Sequence, residues 1–328
     1  MMSTGNLRRR ALPLMPTPHH ARQTMPRPVT LQLSPLTGQP QEDLAVVAEL
    51  VRDTGAEMPE VEAVVTFAAE GVPAEVLSRL PNVKMISVFG VGTDKLDLEE
   101  CRRRGIIVAT TRGTLNDDVA DCALMLTIAL HRELLPQDRF ARDGGWAREG
   151  KAWLTHTMAG KKLGIFGMGD IGVEIARRAE AFRMEVGYHN RSRRDAPQRY
   201  FDTLAGLADW CDTLVLAAPG TAETFHVVDA AMLDRIGPQG FLVNIARGQL
   251  VDEAALVAAL DAGRIAGAGL DVFEDEPRPH PGLIASPRTV LTPHAASATV
   301  ETRTRMAGKV VSNLRDYIEG RAMDARIV

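Results

Sequence analysis

Three titratable residues stand just beyond short apolar runs: Arg247 after FLVNIA, Glu276 after GLDVFED and His294 after VLTP. Arginine offers a planar fork of N–H donors that fits a carboxylate, and its fixed charge can polarise a neighbouring carbonyl. Histidine exchanges a proton near neutral pH, and a carboxylate beside it favours the charged ring and orients it. Together the three could bind a carbonyl compound that carries a carboxylate and move a proton at its oxygen. Each also has an ordinary structural reading: His294 as a packed side chain, Arg247 and Glu276 as members of surface ion pairs. In an open parallel sheet, however, groups at the carboxyl ends of strands converge on one crevice, so distance in sequence does not keep them apart.

A second constellation supplies what that chemistry lacks. Gly167-Met168-Gly169-Asp170-Ile171-Gly172 follows the strand-like KLGIF and opens a helical stretch, IGVEIARRAEAF. In that context Gly167 permits a tight turn, Gly169 lets backbone approach a pyrophosphate, and Gly172 lets the helix pack on the strand. Free N–H groups at the helix start and the positive end of its dipole suit the anion. A dinucleotide site that prefers NAD usually carries Asp or Glu at the end of the next strand, to bond the ribose 2′-hydroxyl. Here the chain reads Tyr188-His189-Asn190-Arg191-Ser192-Arg193-Arg194, and Glu185 lies at the start of that strand instead. Guanidiniums and a hydroxyl in this place suit a 2′-phosphate. NADP(H) is therefore the expected cofactor, with NAD(H) as the other possibility and a merely solvated basic loop as the plain alternative.

The elements that must position these groups follow from the alternation of the chain. Its 328 residues are 45% apolar and 24% charged, enough for about two domains with cores of their own. A formal net charge of −4 provides no basic field for nucleic acid or an anionic membrane. The most apolar run, 119–130, is too short to span a bilayer. Cys101, Cys122 and Cys211 are odd in number and widely spaced, which speaks against disulfides and metal and for reduced thiols in a cytoplasmic protein. Strands are expected over 29–33, 62–67, 83–89 and 105–110, with helices over 42–52, 73–80 and 96–104 and a long one over 116–135. The alternation then restarts, with strands ending near Phe166, His189, Ala217, Ile245, Val272 and Thr292 and helices over 170–182, 203–209, 229–236 and 252–262. Both series predict doubly wound α/β units with parallel sheets. A last helix over 298–319 is expected to cross back onto the first unit. The first 41 residues hold neither Asp nor Glu, seven of the chain's 19 prolines and the run Arg8-Arg9-Arg10. Residues 1–27 are accordingly expected to be a disordered extension; a transit peptide fits less well because prolines spoil an amphipathic helix. The expected division is 28–125 with 295–328 for substrate and 126–294 for the dinucleotide.

The motifs VFGVGTDKLDL (88–98), VADCAL (119–124), GKKLGIFGMGDIG (160–172), NIARGQLVDEAAL (244–256), AGLDVFEDEP (268–277) and LTPHAASAT (291–299), in this order, resemble the D-isomer-specific 2-hydroxyacid dehydrogenase family. YHNRS and LAAPGTAET look most like its glyoxylate/hydroxypyruvate reductase branch. The resemblance implies a Rossmann-type cofactor domain inserted into a flavodoxin-like substrate domain, and a homodimer. It makes Arg247 the carboxylate-binding, carbonyl-polarising arginine, His294 the acid/base and Glu276 its partner. Val91 and Gly92 would bind the substrate carboxylate through backbone N–H groups. The cofactor would meet Gly167, Met168, Gly169, Asp170, Ile171, Gly172, Asn190, Arg191, Ser192, Ala218, Pro219 and His294, with Ile245 and Ala246 flanking the nicotinamide and Asp271 contacting its amide. Arg112 stands where Pro is common, Asn116 where Thr is common, and Ala296 where Gly is usual; none of these removes a catalytic group. The expected activity is reduction of a small 2-oxoacid, glyoxylate or hydroxypyruvate, by NADPH. A bulkier substrate such as an aryl-pyruvate is one alternative. Another is a dinucleotide-sensing binding protein of the corepressor type, against which stands the short chain beyond residue 320.

Overall fold

The computed structural model describes residues 27–328. All but the last residue of the expected N-terminal extension, 1–27, lie outside the described residues. The chain builds β1 (Val29–Gln32), α1 (Gln39–Val47), β2 (Glu49–Val51), β3 (Ala63–Phe67), α2 (Ala74–Ser78), β4 (Met85–Phe89), α3 (Leu98–Arg104) and β5 (Ile107–Ala109). These strands form one parallel sheet in the order β2-β1-β3-β4-β5, the flavodoxin-like order. Helices α4 (Asn116–His131), α5 (Leu134–Arg142) and α6 (Gly145–Glu149) lead into the second series. It comprises β6 (Lys162–Phe166), α7 (Asp170–Ala181), β7 (Glu185–His189), β8 (Arg199–Tyr200), α8 (Leu204–Trp210), β9 (Thr213–Leu216), α9 (Ala230–Ile236), β10 (Phe241–Asn244), α10 (Glu253–Asp261), β11 (Gly267–Leu270), α11 (Pro281–Ala285) and β12 (Thr289–Leu291). Its sheet runs β12-β11-β10-β9-β6-β7-β8, all parallel, with the reversal of strand order between β6 and β9. The fold is thus two doubly wound α/β units, as the alternation predicts.

Strands covered on both faces must be apolar along their length, and β3 (AVVTF) and β4 (MISVF) are buried almost throughout. Helix starts are marked by side-chain caps: Asp97, Thr203, Asp229, Asp252 and Thr299 each accept a first-turn N–H. The final helix, α12 (Val300–Ile318), packs on α1 and β4, and Ile327 N–H donates to the Val108 carbonyl at 2.7 Å beside β5. The chain therefore crosses between the sheets twice, through α4 and again at 292–300.

Three expectations need correcting. The helix expected over 42–52 stops at Val47, because Ala48 turns extended and Glu49–Val51 pair in parallel with the free edge of β1. Leu50 and Val51 do face the core, but from a strand. The long helix expected over 116–135 breaks after His131, where Glu133 takes a left-handed φ of 46° and the chain restarts as α5. The second sheet has seven strands, the extra one being the two-residue β8, too short to leave a periodic signal.

Candidate active site

The glycine run lies where β6 hands over to α7. Gly167 has φ 108°, and a Cβ there would sit 2.5 Å from the Ala218 nitrogen on the neighbouring β9 turn. A Cβ on Gly172 would lie 2.3 Å from the Gly167 carbonyl oxygen, so helix and turn can touch only with glycine at both positions. A Cβ at Gly169, by contrast, would meet nothing within 4 Å. No side chain caps α7, and the Asp170 carboxylate is turned away into an ion pair with Arg112, at 2.7 Å. The Arg112 hydrogen bond outweighs partial burial and holds that carboxyl below the usual carboxylate range. Uncapped N–H groups facing open space are what a pyrophosphate needs, so the residues fit a dinucleotide.

The loop after β7 is tied to this cradle. Asn190 Oδ1 accepts the Met168 N–H at 2.6 Å. The Tyr188 hydroxyl donates to the Arg194 carbonyl at 2.9 Å and accepts the Arg194 N–H at 3.0 Å, fixing the turn between. Arg191 and Ser192 are exposed on it, and among the described residues Arg191 and Arg193 have no ion-pair partner. Glu185, the only carboxylate of β7, lies at the far end of the strand.

Arg247 leaves the turn after β10. Buried Asn244 shapes that turn, donating to the Arg247 carbonyl at 2.8 Å and accepting the Ala246 N–H at 3.1 Å. A Cβ on Gly248 would fall 1.9 Å from the Phe273 carbonyl carbon, so this turn can nest against the 273–276 loop only as glycine. From that loop Glu276 reaches His294: Nδ1 and Oε2 are 2.7 Å apart, and the other carboxylate oxygen accepts the Phe273 N–H at 3.1 Å. Burial raises the Glu276 pKa, but the hydrogen bond from His294, the Phe273 N–H and the charges of His294 and Arg247 outweigh it, and the net shift is downward. An ionised Glu276 can only accept, so Nδ1 carries the proton and Nε2 is the atom left to exchange one. His294 has a left-handed φ of 50°, a costly conformation for a residue with a side chain. Asp271 holds it there. Its fully buried carboxylate accepts the Thr292 hydroxyl at 2.6 Å and the Ala295 and Ala296 N–H groups at 2.8 and 2.9 Å.

The loop after β4 closes the site from the other sheet. Val91 and Gly92 make no intramolecular backbone N–H bond among the described residues. A Cβ on Gly92 would lie 1.6 Å from an Arg247 guanidinium nitrogen. Arg247 Nε also donates to Asp94 Oδ1 at 3.0 Å, an ion pair between the two sheets. On the cofactor side, a Cβ on Gly220 would be 3.1 Å from Arg247 Cγ, which brings the Ala218–Pro219 turn against the same arginine. Ile245 is buried and Ala246 half-buried beneath it. Arg247 thus stands against Gly92 on one side and Gly220 on the other, and its charge reaches Glu276, the partner of His294. Asp94 was not singled out in the sequence: its partner is 153 positions away on another sheet, and no local spacing announces it.

Comparisons with known proteins agree with this fold. The family model for the D-isomer-specific 2-hydroxyacid dehydrogenase NAD-binding domain matches residues 124–296. The chain is 48% identical to 2-ketogluconate reductase of Gluconobacter oxydans over 81% of its own length and 86% of that protein. It is 44% identical to glyoxylate/hydroxypyruvate reductase A of Arabidopsis thaliana, over 82% and 86% of the two chains. The crystal structure of NADPH-dependent glyoxylate/hydroxypyruvate reductase from Sinorhizobium meliloti, in complex with NADP and malonate, superposes with a TM-score of 0.86 at 39% identity, covering 92% of this chain and 97% of that one. The chain belongs to the D-isomer-specific 2-hydroxyacid dehydrogenase family.

Proposed function

We propose that this protein is an NADPH-dependent reductase of small 2-oxoacids, glyoxylate and hydroxypyruvate among them, and yields the D-2-hydroxyacid. The observation that carries this reading is the His294–Glu276 pair within reach of the Arg247 charge, with Gly92 against the same guanidinium. NADPH, when bound on the glycine turn, supplies the hydride for the keto carbon. The amides of Val91 and Gly92 and the Arg247 fork hold the substrate carboxylate. The Arg247 charge draws electron density toward the carbonyl oxygen. His294 Nε2 gives that oxygen its proton, and Glu276 keeps the ring in the tautomer and orientation for the transfer. Asp94 orients Arg247, and Asp271, through the 292–296 turn, fixes where the imidazole sits. Exposed Arg191, with Ser192 and Asn190, receives the 2′-phosphate, which supports NADP(H) over NAD(H).

Residues 28–125 with 295–328 form the substrate unit and 126–294 the cofactor unit in this reading. Two copies associate through the segment after α4, where Leu134, Trp146 and Leu154 turn apolar surface to solvent. Among the described residues no helix is long and apolar enough to cross a membrane. The test is loss of NADPH absorbance on addition of glyoxylate or hydroxypyruvate, with NADH in parallel. Turnover with neither acid, or a preference for NADH, contradicts the proposal.

A further inference from the structure

Glu253 is 5% exposed and stands outside the reaction described above. It is the first residue of α10, yet the start of that helix does not need its side chain: Asp252 already caps α10, accepting the Ala255 N–H at 2.9 Å. The Glu253 carboxylate reaches instead to the loop that carries Glu276. Its Oε1 accepts the Glu274 N–H at 2.9 Å, and Glu274 Oε2 accepts the Glu253 N–H at 3.4 Å, a reciprocal clamp between the two segments. The other Glu274 oxygen meets His226 Nε2, so Glu274 is held from both sides. Successive amides of the loop thus serve two carboxylates: the Phe273 N–H goes to Glu276 at 3.1 Å and the Glu274 N–H to Glu253. Between Arg247 and Glu253 in the chain, Gly248 nests against Phe273 and Glu274. The clamp therefore ties the turn of Arg247 to the loop of Glu276. Burial pushes the Glu253 carboxyl up from its ordinary value, outweighing the Glu274 and His280 N–H groups, and the Glu274 charge acts in the same direction as burial. A carboxylate kept out of water beside a second one is costly, and what it secures here is the path of the loop rather than the helix.

We propose that Glu253 is a positioning residue for the reduction: by holding the Glu274 N–H it fixes the course of residues 273–276 and so keeps Glu276 in line with His294 Nδ1. The inference rests on the reductase reading above and deepens it, assigning a further residue to the same site. No proton passes through Glu253. Its carboxylate acts as a fixed acceptor, so what counts is the reach of the oxygen and not the charge. A side chain that keeps the reach without the charge should serve; one that keeps the charge but is a methylene shorter should not. Misalignment of an acid/base pair lowers the rate of the step it serves more than it weakens the binding of substrate.

The test compares the wild type with Glu253→Gln, Glu253→Asp and Glu253→Ala in steady-state reduction of glyoxylate and hydroxypyruvate by NADPH. Glu253→Asp and Glu253→Ala should lower kcat about tenfold while KM and NADPH binding stay within about twofold, and Glu253→Gln should stay within about threefold of the wild type. In the Glu276→Gln background, Glu253→Asp should cost less than about threefold further, because the charge that the alignment serves is already gone. An unchanged kcat in Glu253→Asp overturns the proposal, and so does an equal loss in both backgrounds or a parallel rise in KM and NADPH Kd. Should alanine prevent folding, the aspartate and glutamine variants decide alone. A second readout needs no turnover. In protein labelled with ¹⁵N-histidine, the Nδ1–H signal of His294, assigned by its loss in His294→Gln, should persist in Glu253→Gln and exchange away in Glu253→Asp. If no 2-oxoacid is turned over, the reductase reading falls, and this signal decides the positioning role by itself: its persistence in Glu253→Asp, or its absence from the wild type, overturns that role.

Discussion

His294 sits in a left-handed backbone conformation that its own propensities resist, pinned between Asp271 beneath it and Glu276 beside it. That arrangement makes the carboxylate more than a spectator. In the proposed mechanism Glu276 accepts the Nδ1 proton and so holds the ring with Nε2 free to meet the substrate oxygen. Glu276→Gln keeps the shape and removes the charge, so kcat for reduction should fall about tenfold or more while NADPH binding is nearly unchanged. Steady-state kinetics and fluorescence titration measure the two, and an unchanged kcat would exclude Glu276 as the partner of His294. The lowered Glu276 pKa also links to stability. The folded carboxyl binds its proton less tightly than the ordinary 4.5, so the stabilisation is full above that pH and is lost as pH falls through the lowered value.

Elements set which charges are available and which are hidden. The turn after β7 is braced by Tyr188 and Asn190, so its guanidiniums project from a fixed frame. Arg191→Ser should weaken NADPH binding about tenfold, the worth of a charge-assisted hydrogen bond, and leave NADH binding nearly unchanged. Fluorescence titration with both cofactors measures this, and equal weakening would remove the 2′-phosphate from the argument. Helix α4 carries the opposite case. His131 at its end is 1% exposed, its Nε2 lies 2.9 Å from the Thr213 hydroxyl, its ring is 4.5 Å from that of Phe241, and its Nδ1 has no partner among the described residues. Burial pushes its pKa down to about 4 from 6.5. The unfolded chain therefore binds the extra proton first. The stability that His131 confers is full above pH 6.5 and drains away as pH falls toward 4, by about 3 kcal/mol in all. Urea unfolding between pH 4.5 and 7 should reveal that slope, and His131→Gln should flatten it; an identical slope in the variant would locate the acid sensitivity elsewhere.

At the scale of the whole molecule, the Arg247–Asp94 and Arg112–Asp170 ion pairs link the loops of one sheet to those of the other. Both pairs join residues far apart in the chain. In the segment from α5 to β6 the apolar residues divide. Trp153 packs edge-on against Phe140 and donates to Glu133, whereas Trp146 is 65% and Leu154 96% exposed. In the dimer proposed above, the second pair is the surface that another copy would cover. Light scattering at micromolar concentration should give the mass of two chains, and Trp146→Glu combined with Leu154→Glu should reduce it to one chain without lowering Tm. A wild-type mass of one chain would refute the dimer.

The sequence alone determined the α/β alternation, the cofactor turn and the strand-end residues, because each is written locally. Parallel strands must be apolar on both faces, a βα phosphate turn needs glycines at set intervals, and strand ends converge whatever lies between them. It misread 49–51, since Leu50 and Val51 suit a helix face as well as an edge strand, and only the free edge of β1 decided between them. It ran α4 past His131 because nothing in the local apolar pattern marks the turn at Glu133. Tertiary structure alone decided that Asp94 meets Arg247, that the Asp271 carboxylate carries the His294 turn, and that Arg303 lines a cavity beside the Phe89 ring. Those contacts join segments far apart in the chain, and a side chain's charge partner is set by which surfaces the folded sheets bring together.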